Sequence, residues 1–176
     1  MSQLAYEAML FAREVHANQR RKYTGNPYSD HLAEVAGIVA AVGGDYHSIA
    51  VAWLHDTVED QGVRLQTLDC RFGAWVMRGV QLLSDLETGN RAERKAASRI
   101  RLAAAPDWIQ TIKVADLISN TSSIVEHDPK FAVTYLEEKR LLLDVLTKAD
   151  PRLVQIARSQ ITSSPETPQH HRHPPE

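Results

Sequence analysis

The chain has 176 residues, 43% of them hydrophobic and 24% charged, with a formal net charge of −2. That length suggests one domain with room for a real core, and the near-neutral charge argues against a chain built to coat nucleic acid or an anionic membrane. Cys70 is the only cysteine, which excludes an intrachain disulfide and a cysteine-based metal site, and no apolar run approaches the roughly 18 residues that span a bilayer.

The pattern is helical from one end to the other. Met1 to Glu14 carries Glu7 and Glu14 and has no signal-peptide layout, so a cytoplasmic location is expected. Leu4, Ala5, Ala8, Phe11, Ala12 and Val15 recur at spacings of three and four, which predicts a first amphipathic helix to about Arg20. Arg21 to Asp30 holds Gly25, Asn26 and Pro27 and reads as a loop. A second helix is expected from about His31 to Val42, stopped by Gly43-Gly44. The third carries Ile49, Val51, Ala52, Trp53 and Leu54 into His55-Asp56 and runs on to a break near Gly62.

Short helices are expected around Leu65–Cys70 and Ala74–Leu83, then a turn-rich break from Asp85 to Asn90. Arg91–Ala105 reads as a basic helix. Pro106 suits the first turn of the next helix, from Asp107 to about Val125. His127-Asp128-Pro129 starts a long helix to about Lys148, and Asp150-Pro151 starts a last one to about Ile161. No stretch alternates well enough to be a strand, and no repeat is apparent. Residues 163–176, rich in Pro, Ser, Gln and His, read as a disordered tail in which His170, His171 and His173 carry no structured site.

The stretch Val51-Ala52-Trp53-Leu54-His55-Asp56-Thr57-Val58-Glu59-Asp60 is the most informative. An imidazole beside a carboxylate is a ready mixed pair for a divalent metal. On a helix, Glu59 and Asp60 would lie one turn beyond that pair. His31 opens the second helix after the Gly-Pro loop. Asp116 lies in the apolar run Ile112-Lys113-Val114-Ala115-Asp116-Leu117-Ile118, where a carboxylate needs a cation or a donor. An ion pair with Lys113 one turn back is the simpler account of it. Taken singly, Glu59 and Asp60 fit a solvated helix end.

Several pieces together carry a resemblance. Arg20-Arg21-Lys22-Tyr23-Thr24-Gly25-Asn26-Pro27-Tyr28-Ser29-Asp30-His31, Leu54 to Asp60, Phe72-Gly73 and Ile112 to Asp116 with Asn120 follow in matching order and spacing. The chain resembles the HD-domain metal-dependent phosphohydrolases, and among them the hydrolase domain of RelA/SpoT-type enzymes and the stand-alone small alarmone hydrolases. The resemblance implies an all-α HD-domain helical bundle, one domain over residues 1–162. It implies four metal ligands, His31, His55, Asp56 and Asp116, drawn from three helices.

Two imidazoles and two carboxylates suit Mn²⁺, with Fe²⁺, Co²⁺ or Zn²⁺ also acceptable, and the family usually holds manganese. Glu59 and Asp60 become the catalytic acids, placed to orient water or accept its proton. Arg21 and Lys22 match the basic pair that contacts the nucleotide. Asn120 and Ser123 match positions that hydrogen-bond the ribose. Arg91, Arg94, Lys95, Arg99 and Arg101 read first as a solvated helix face, though some could meet a polyphosphate. The stripe Leu136, Leu141, Leu142, Val145 and Leu146 reads as core, and Tyr135 as core, interface or a base-stacking ring.

Departures from the family pattern are Leu32 for a proline, Leu117 for a basic residue, Ser119 for an aromatic or His, and Gln61-Gly62 after the acidic pair. Leu117 and Ser119 leave the substrate pocket less certain than the chemistry. The expected activity is hydrolysis of guanosine 3′,5′-bis(diphosphate) or its pentaphosphate relative at the 3′ position. Another nucleotide or a phosphorylated dinucleotide cofactor is the alternative, and a non-catalytic nucleotide-binding module the third. The expected partner is thus a guanosine polyphosphate or related nucleotide, with no nucleic acid and no membrane; a homo-oligomer is left open.

Overall fold

Ten α-helices account for most of residues 2–162, the part of the chain that the computed structural model describes. They are α1 (Gln3–Val15), α2 (Tyr28–Ala41), α3 (Tyr46–Leu54), α4 (Thr57–Gln61), α5 (Leu65–Phe72), α6 (Ala74–Leu83), α7 (Arg91–Ala104), α8 (Asp107–His127), α9 (Pro129–Leu143) and α10 (Pro151–Thr162). Among the described residues there is no strand, only an isolated bridge between Arg20 and Pro27. The all-α expectation therefore holds. The expected tail lies outside the described residues. No described helix is long and apolar enough to cross a membrane.

Helix α3 is the centre. Ala50 to Leu54 are all buried, the mark of a helix covered on every side. Helices α1, α2, α6 and α8 pack on it, and α10 closes over α8 and α9. Gly79 lets α6 approach, since a Cβ there would lie 2.8 Å from both Val51 and Trp108 side-chain atoms. The second half of the bundle is tied by Gln110, which is fully buried. Its amide donates to Leu102 O at 3.0 Å and accepts from Lys148 N at 2.8 Å, joining the end of α7 to the α9–α10 connection.

Local chemistry sets the helix ends. Ser2 and Asp45 cap α1 and α3, and Asn90 with Glu93 forms a reciprocal capping box on α7. Four boundaries differ from the sequence expectation. Helix α1 stops at Val15, and turns at residues 16–20 bring His16 and Gln19 beneath Tyr28. Helix α2 begins at Tyr28, because Pro27 is a natural residue before a first turn and the Arg20–Pro27 bridge delivers the chain there. Helix α9 ends at Leu143, since the following turns are drawn to Gln110 and Thr111.

The fourth difference matters most. His55 and Asp56 form a break between α3 and α4, where a continuous helix was expected. Carbonyls left open at a helix end need donors. Here His55 Nδ1 lies 2.8 Å from Ala52 O, and Thr57 Oγ1 donates to Leu54 O at 2.7 Å. Asp60 N then donates to Asp56 O at 2.9 Å, which restarts the helix as α4.

Candidate metal centre and its cavity

Ligand atoms of His31 from α2, His55 from the α3–α4 break and Asp116 from α8 lie within 4.8 Å of one another, and Asp56 adjoins both imidazoles. His31 Nε2 lies 3.4 Å from Asp116 Oδ1 and 3.5 Å from Asp56 Oδ2. His55 Nε2 lies 3.1 Å from Asp56 Oδ2 and 3.8 Å from Asp116 Oδ1. Both imidazoles are buried, and both Nε2 atoms have no hydrogen-bond partner.

The second nitrogen of each ring explains why. His55 Nδ1 faces a carbonyl, which can only accept, so it carries the proton and leaves Nε2 bare. His31 Nδ1 is 2.8 Å from Ser119 Oγ. That hydroxyl donates to Glu34 Oε2 at 2.6 Å, so the His31 ring must donate to it. Two buried, unpartnered lone pairs therefore aim at two carboxylate oxygens. Such a donor set suits a divalent cation, and the second set of bonds is of the kind that can orient histidines for one. His31, His55, Asp56 and Asp116 could hold such an ion.

The electrostatics agree. Burial acts against a charged Asp116, yet Lys113 and the two imidazoles hold its carboxyl well below the usual range. Burial likewise opposes ionisation of Asp56, and His55 and His31 overcome it. Burial disfavours a charged His55, but Asp56 and Asp116 outweigh it, so a positive charge at Nε2, a cation or else a proton, is favoured there. The simpler account of Asp116 is also correct in part. Its Oδ2 accepts from Lys113 at 2.8 Å, while Oδ1 accepts from Asn120 at 2.6 Å and faces the histidines. Tyr28 donates its hydroxyl to Asp56 Oδ2 at 2.6 Å, and burial with the nearby carboxylate pushes the phenol far up, so it keeps that proton.

A cavity of about 350 Å³ opens over this cluster. Its acid side holds Asp56, Glu59, Asp60, Asp85 and Asp116. Glu59 and Asp60 are open to solvent on the cavity side. Protein around the Glu59 carboxyl still desolvates it and pushes it up, against a 2.8 Å hydrogen bond from the Asp85 amide. Asp60 Oδ2 accepts from Gln19 Nε2 at 2.7 Å.

The rest of the lining is cationic and apolar, and it meets the acids where Lys95 donates to Asp85 Oδ2 at 2.8 Å. Arg91, Lys95 and Arg99 of α7 belong to it together with Ile124, Phe131, Tyr135 and Leu142. The basic helix is thus divided, where a solvated face was expected. Arg94 points to solvent, and Arg101 binds Asp85 Oδ1 at 2.8 Å. Arg91 forms a two-pronged pair with Glu138, both contacts 2.7 Å, above the Phe131 ring. Of the aliphatic stripe, Leu146 is fully buried and the other four are partly so.

The sequence-derived substrate residues divide as well. Asn120 lines the cavity. Arg21 and Ser123 line a separate surface pocket, where Arg21 donates to Ser119 O at 3.1 Å and to Asn120 Oδ1 at 3.4 Å and pairs with Glu34 at 3.6 Å. Lys22 stands largely exposed near the cavity rim, 6.0 Å from the Phe131 ring. Ser119, expected to shape the substrate pocket, instead supports His31, whereas Leu117 does line the cavity. The sequence gives Tyr28, Lys113, Glu34 and Gln19 no functional role. Only the three-residue step from Tyr28 to His31 on one helix face could have signalled the first of them.

An HD domain family model matches residues 8–139. A probable guanosine-3′,5′-bis(diphosphate) 3′-pyrophosphohydrolase of Synechocystis is 35% identical over 133 residues, 72% of this chain and 17% of the relative. The guanosine-3′,5′-bis(diphosphate) 3′-pyrophosphohydrolase MESH1 of Danio rerio is 35% identical over 127 residues, 70% of this chain and 71% of the relative. A solved structure described as a metazoan ortholog of SpoT that hydrolyzes ppGpp superposes with a TM-score of 0.85 at 24% identity, covering 92% of this chain and 96% of that one. The chain spans less than a fifth of the length of the bacterial relatives it matches first, at 17%, 15% and 18%. It spans most of the zebrafish protein, and on this similarity and the family match the chain belongs to the HD domain family.

Proposed function

We propose that this protein hydrolyses guanosine 3′,5′-bis(diphosphate), and its pentaphosphate relative, at the 3′ position, yielding pyrophosphate and GDP or GTP. The observation that carries the reading is a cavity, opening over two imidazoles and two carboxylates, that is lined by Glu59, Asp60 and a set of cationic and aromatic side chains. The names of the relatives in Synechocystis and zebrafish support the same substrate. The site residues proposed are His31, His55, Asp56 and Asp116 for metal, with Glu59 and Asp60 as acids. Manganese is the proposed ion, because two imidazoles and two carboxylates form a set of intermediate hardness. A cytoplasmic location is part of the same reading.

When bound, such an ion supplies Lewis acidity toward water and phosphate oxygens. The chain's own residues do the rest. The Glu59 carboxyl, raised toward neutrality, accepts a proton from the attacking water, and Asp60 orients it. The water oxygen bonds to the phosphorus next to the ribose, the P–O3′ bond breaks, and the 3′ oxygen takes up a proton. Lys113 stays charged beside Asp116, since Asp116 and Asp85 outweigh its burial, and it offsets phosphate charge. Arg91, Lys95 and Arg99 receive the remaining phosphates, and the base lies against Phe131, Tyr135 and Leu142.

A second reading keeps the chemistry and changes the substrate to a phosphorylated dinucleotide cofactor. The placement of Arg21 and Ser123 outside the cavity favours it. A panel of both substrate classes, with and without Mn²⁺, tests the choice. The first reading requires pyrophosphate release from the guanosine compound, and turnover of the dinucleotide alone would replace it.

A further inference from the structure

Beneath the acid side of the cavity lies a histidine that the reaction as described does not use. His16 is 2% exposed, at the end of α1, and its Nδ1 is 2.5 Å from Gln19 Oε1. Gln19 Nε2 donates to Asp60 Oδ2. A carboxylate can only accept, so the Gln19 amide nitrogen must face Asp60 and its oxygen must face His16. Gln61 also donates to that oxygen, which is consistent with this orientation. The His16 proton therefore sits on Nδ1. Nε2 is bare, buried and without a partner.

The face of the same ring is engaged too. His16 stacks on Tyr28 with centroids 5.1 Å apart and planes 18° from parallel. Tyr28 in turn donates to Asp56. One imidazole thus reaches a proposed metal ligand through its face and a proposed catalytic acid through its edge. Gln61, which departs from the family pattern, acts as a second clamp on the same amide.

We infer that His16 is a positioning residue for hydrolysis: as the neutral Nδ1-protonated ring it aligns Gln19, and through it the Asp60 carboxylate, while bracing Tyr28 against Asp56. Burial keeps the ring neutral, lowering its pKa, and protonation would bury an N–H at Nε2 with no acceptor. The fixed tautomer makes the alignment independent of pH near neutrality. This inference rests on the proposed hydrolytic role of Asp60.

Two variants of the full chain, loaded with Mn²⁺, separate alignment from simple packing. H16F keeps an aromatic face for Tyr28 and removes the donor. H16N keeps a donor near the Nδ1 position. In H16F we expect wild-type metal content, KM for guanosine 3′,5′-bis(diphosphate) within about twofold, and kcat lower by about 10- to 100-fold, because a small misplacement of a catalytic group acts on the chemical step. H16N should recover most of that loss. Wild-type kcat in H16F, or loss of metal together with rate, or no recovery in H16N would overturn the inference.

Long-range ¹H–¹⁵N spectra of the His16 ring in the wild type give a readout that needs no substrate. They should show Nδ1 protonated and Nε2 bare at pH 7. An Nε2-protonated ring would overturn the inference whatever the substrate. If the wild type releases no pyrophosphate from the guanosine compound, the substrate proposal falls, and the same H16F and H16N comparison on the phosphorylated substrate that it does hydrolyse, together with the ring tautomer, decides this one; no hydrolysis of either substrate class overturns both.

Discussion

Ser119 Oγ accepts a 2.8 Å hydrogen bond from His31 Nδ1, and it can do so only because its own proton is committed to Glu34, 2.6 Å away. The serine thereby fixes which nitrogen of His31 keeps a lone pair. Groups that set the orientation of a metal-bound histidine typically matter by one to two orders of magnitude. S119A should therefore weaken Mn²⁺ binding by about 10- to 100-fold, with the helical content of the protein unchanged. Calorimetric titration of metal into both proteins checks this.

Metal should also bind the fold together, since its proposed ligands come from α2, the α3–α4 break and α8. An ion that binds only the folded chain stabilises it by about 2.7 kcal/mol at one hundred times its Kd. Adding Mn²⁺ should raise the melting temperature of the wild type, and a chelator should reverse the gain. In H55A that response should vanish. An undiminished Mn²⁺ response in H55A would remove His55 from the ligand set.

Glu59 is expected to act on the chemistry without holding the metal. E59Q keeps the shape and the acceptor for the Asp85 amide while removing the base. Its kcat should fall by about 10²- to 10⁴-fold, with metal content intact. Stopped-assay rates combined with metal analysis of the same sample give both quantities.

Lys139 offers a test of stability. It is 1% exposed and donates to Thr121 and Gln160, with no carboxylate within salt-bridge distance among the described residues. Burial lowers its pKa from 10.5 to about 8. In the unfolded chain the lysine stays protonated to about 10.5, so below about pH 8 folding must bury a charge, and that penalty is complete. As pH rises from about 8 to 10.5 the folded form has lost its proton first, and the penalty fades. K139M should therefore be more stable than the wild type by about 1–3 kcal/mol at pH 7, and the gap should close by about pH 10.5. Urea unfolding of both proteins at several pH values measures it.

How much of this was readable in the sequence follows from the kind of interaction involved. Helices with a clear apolar period, such as α6, appear where their spacing predicts them, because burial of one face is a local signal. The break at His55-Asp56 was not readable, since it depends on His55 and Thr57 turning back to cap carbonyls that a continuous helix would have used. That His31, His55, Asp56 and Asp116 lie close together was legible through family resemblance, because the motif fixes their type and order. Arg21 and Ser119 show the limit. Their roles depend on contacts with Glu34, a residue 85 positions from Ser119. Long-range hydrogen bonds of this sort leave no periodic trace.

The central claim is tested most directly by incubating the purified wild type and E59Q, each loaded with Mn²⁺, with guanosine 3′,5′-bis(diphosphate) and measuring pyrophosphate and GDP. The wild type should release both in equal amounts, chelation should abolish the reaction, and E59Q should release almost none. No pyrophosphate from the Mn²⁺-loaded wild type, or equal rates in the two proteins, would contradict the account.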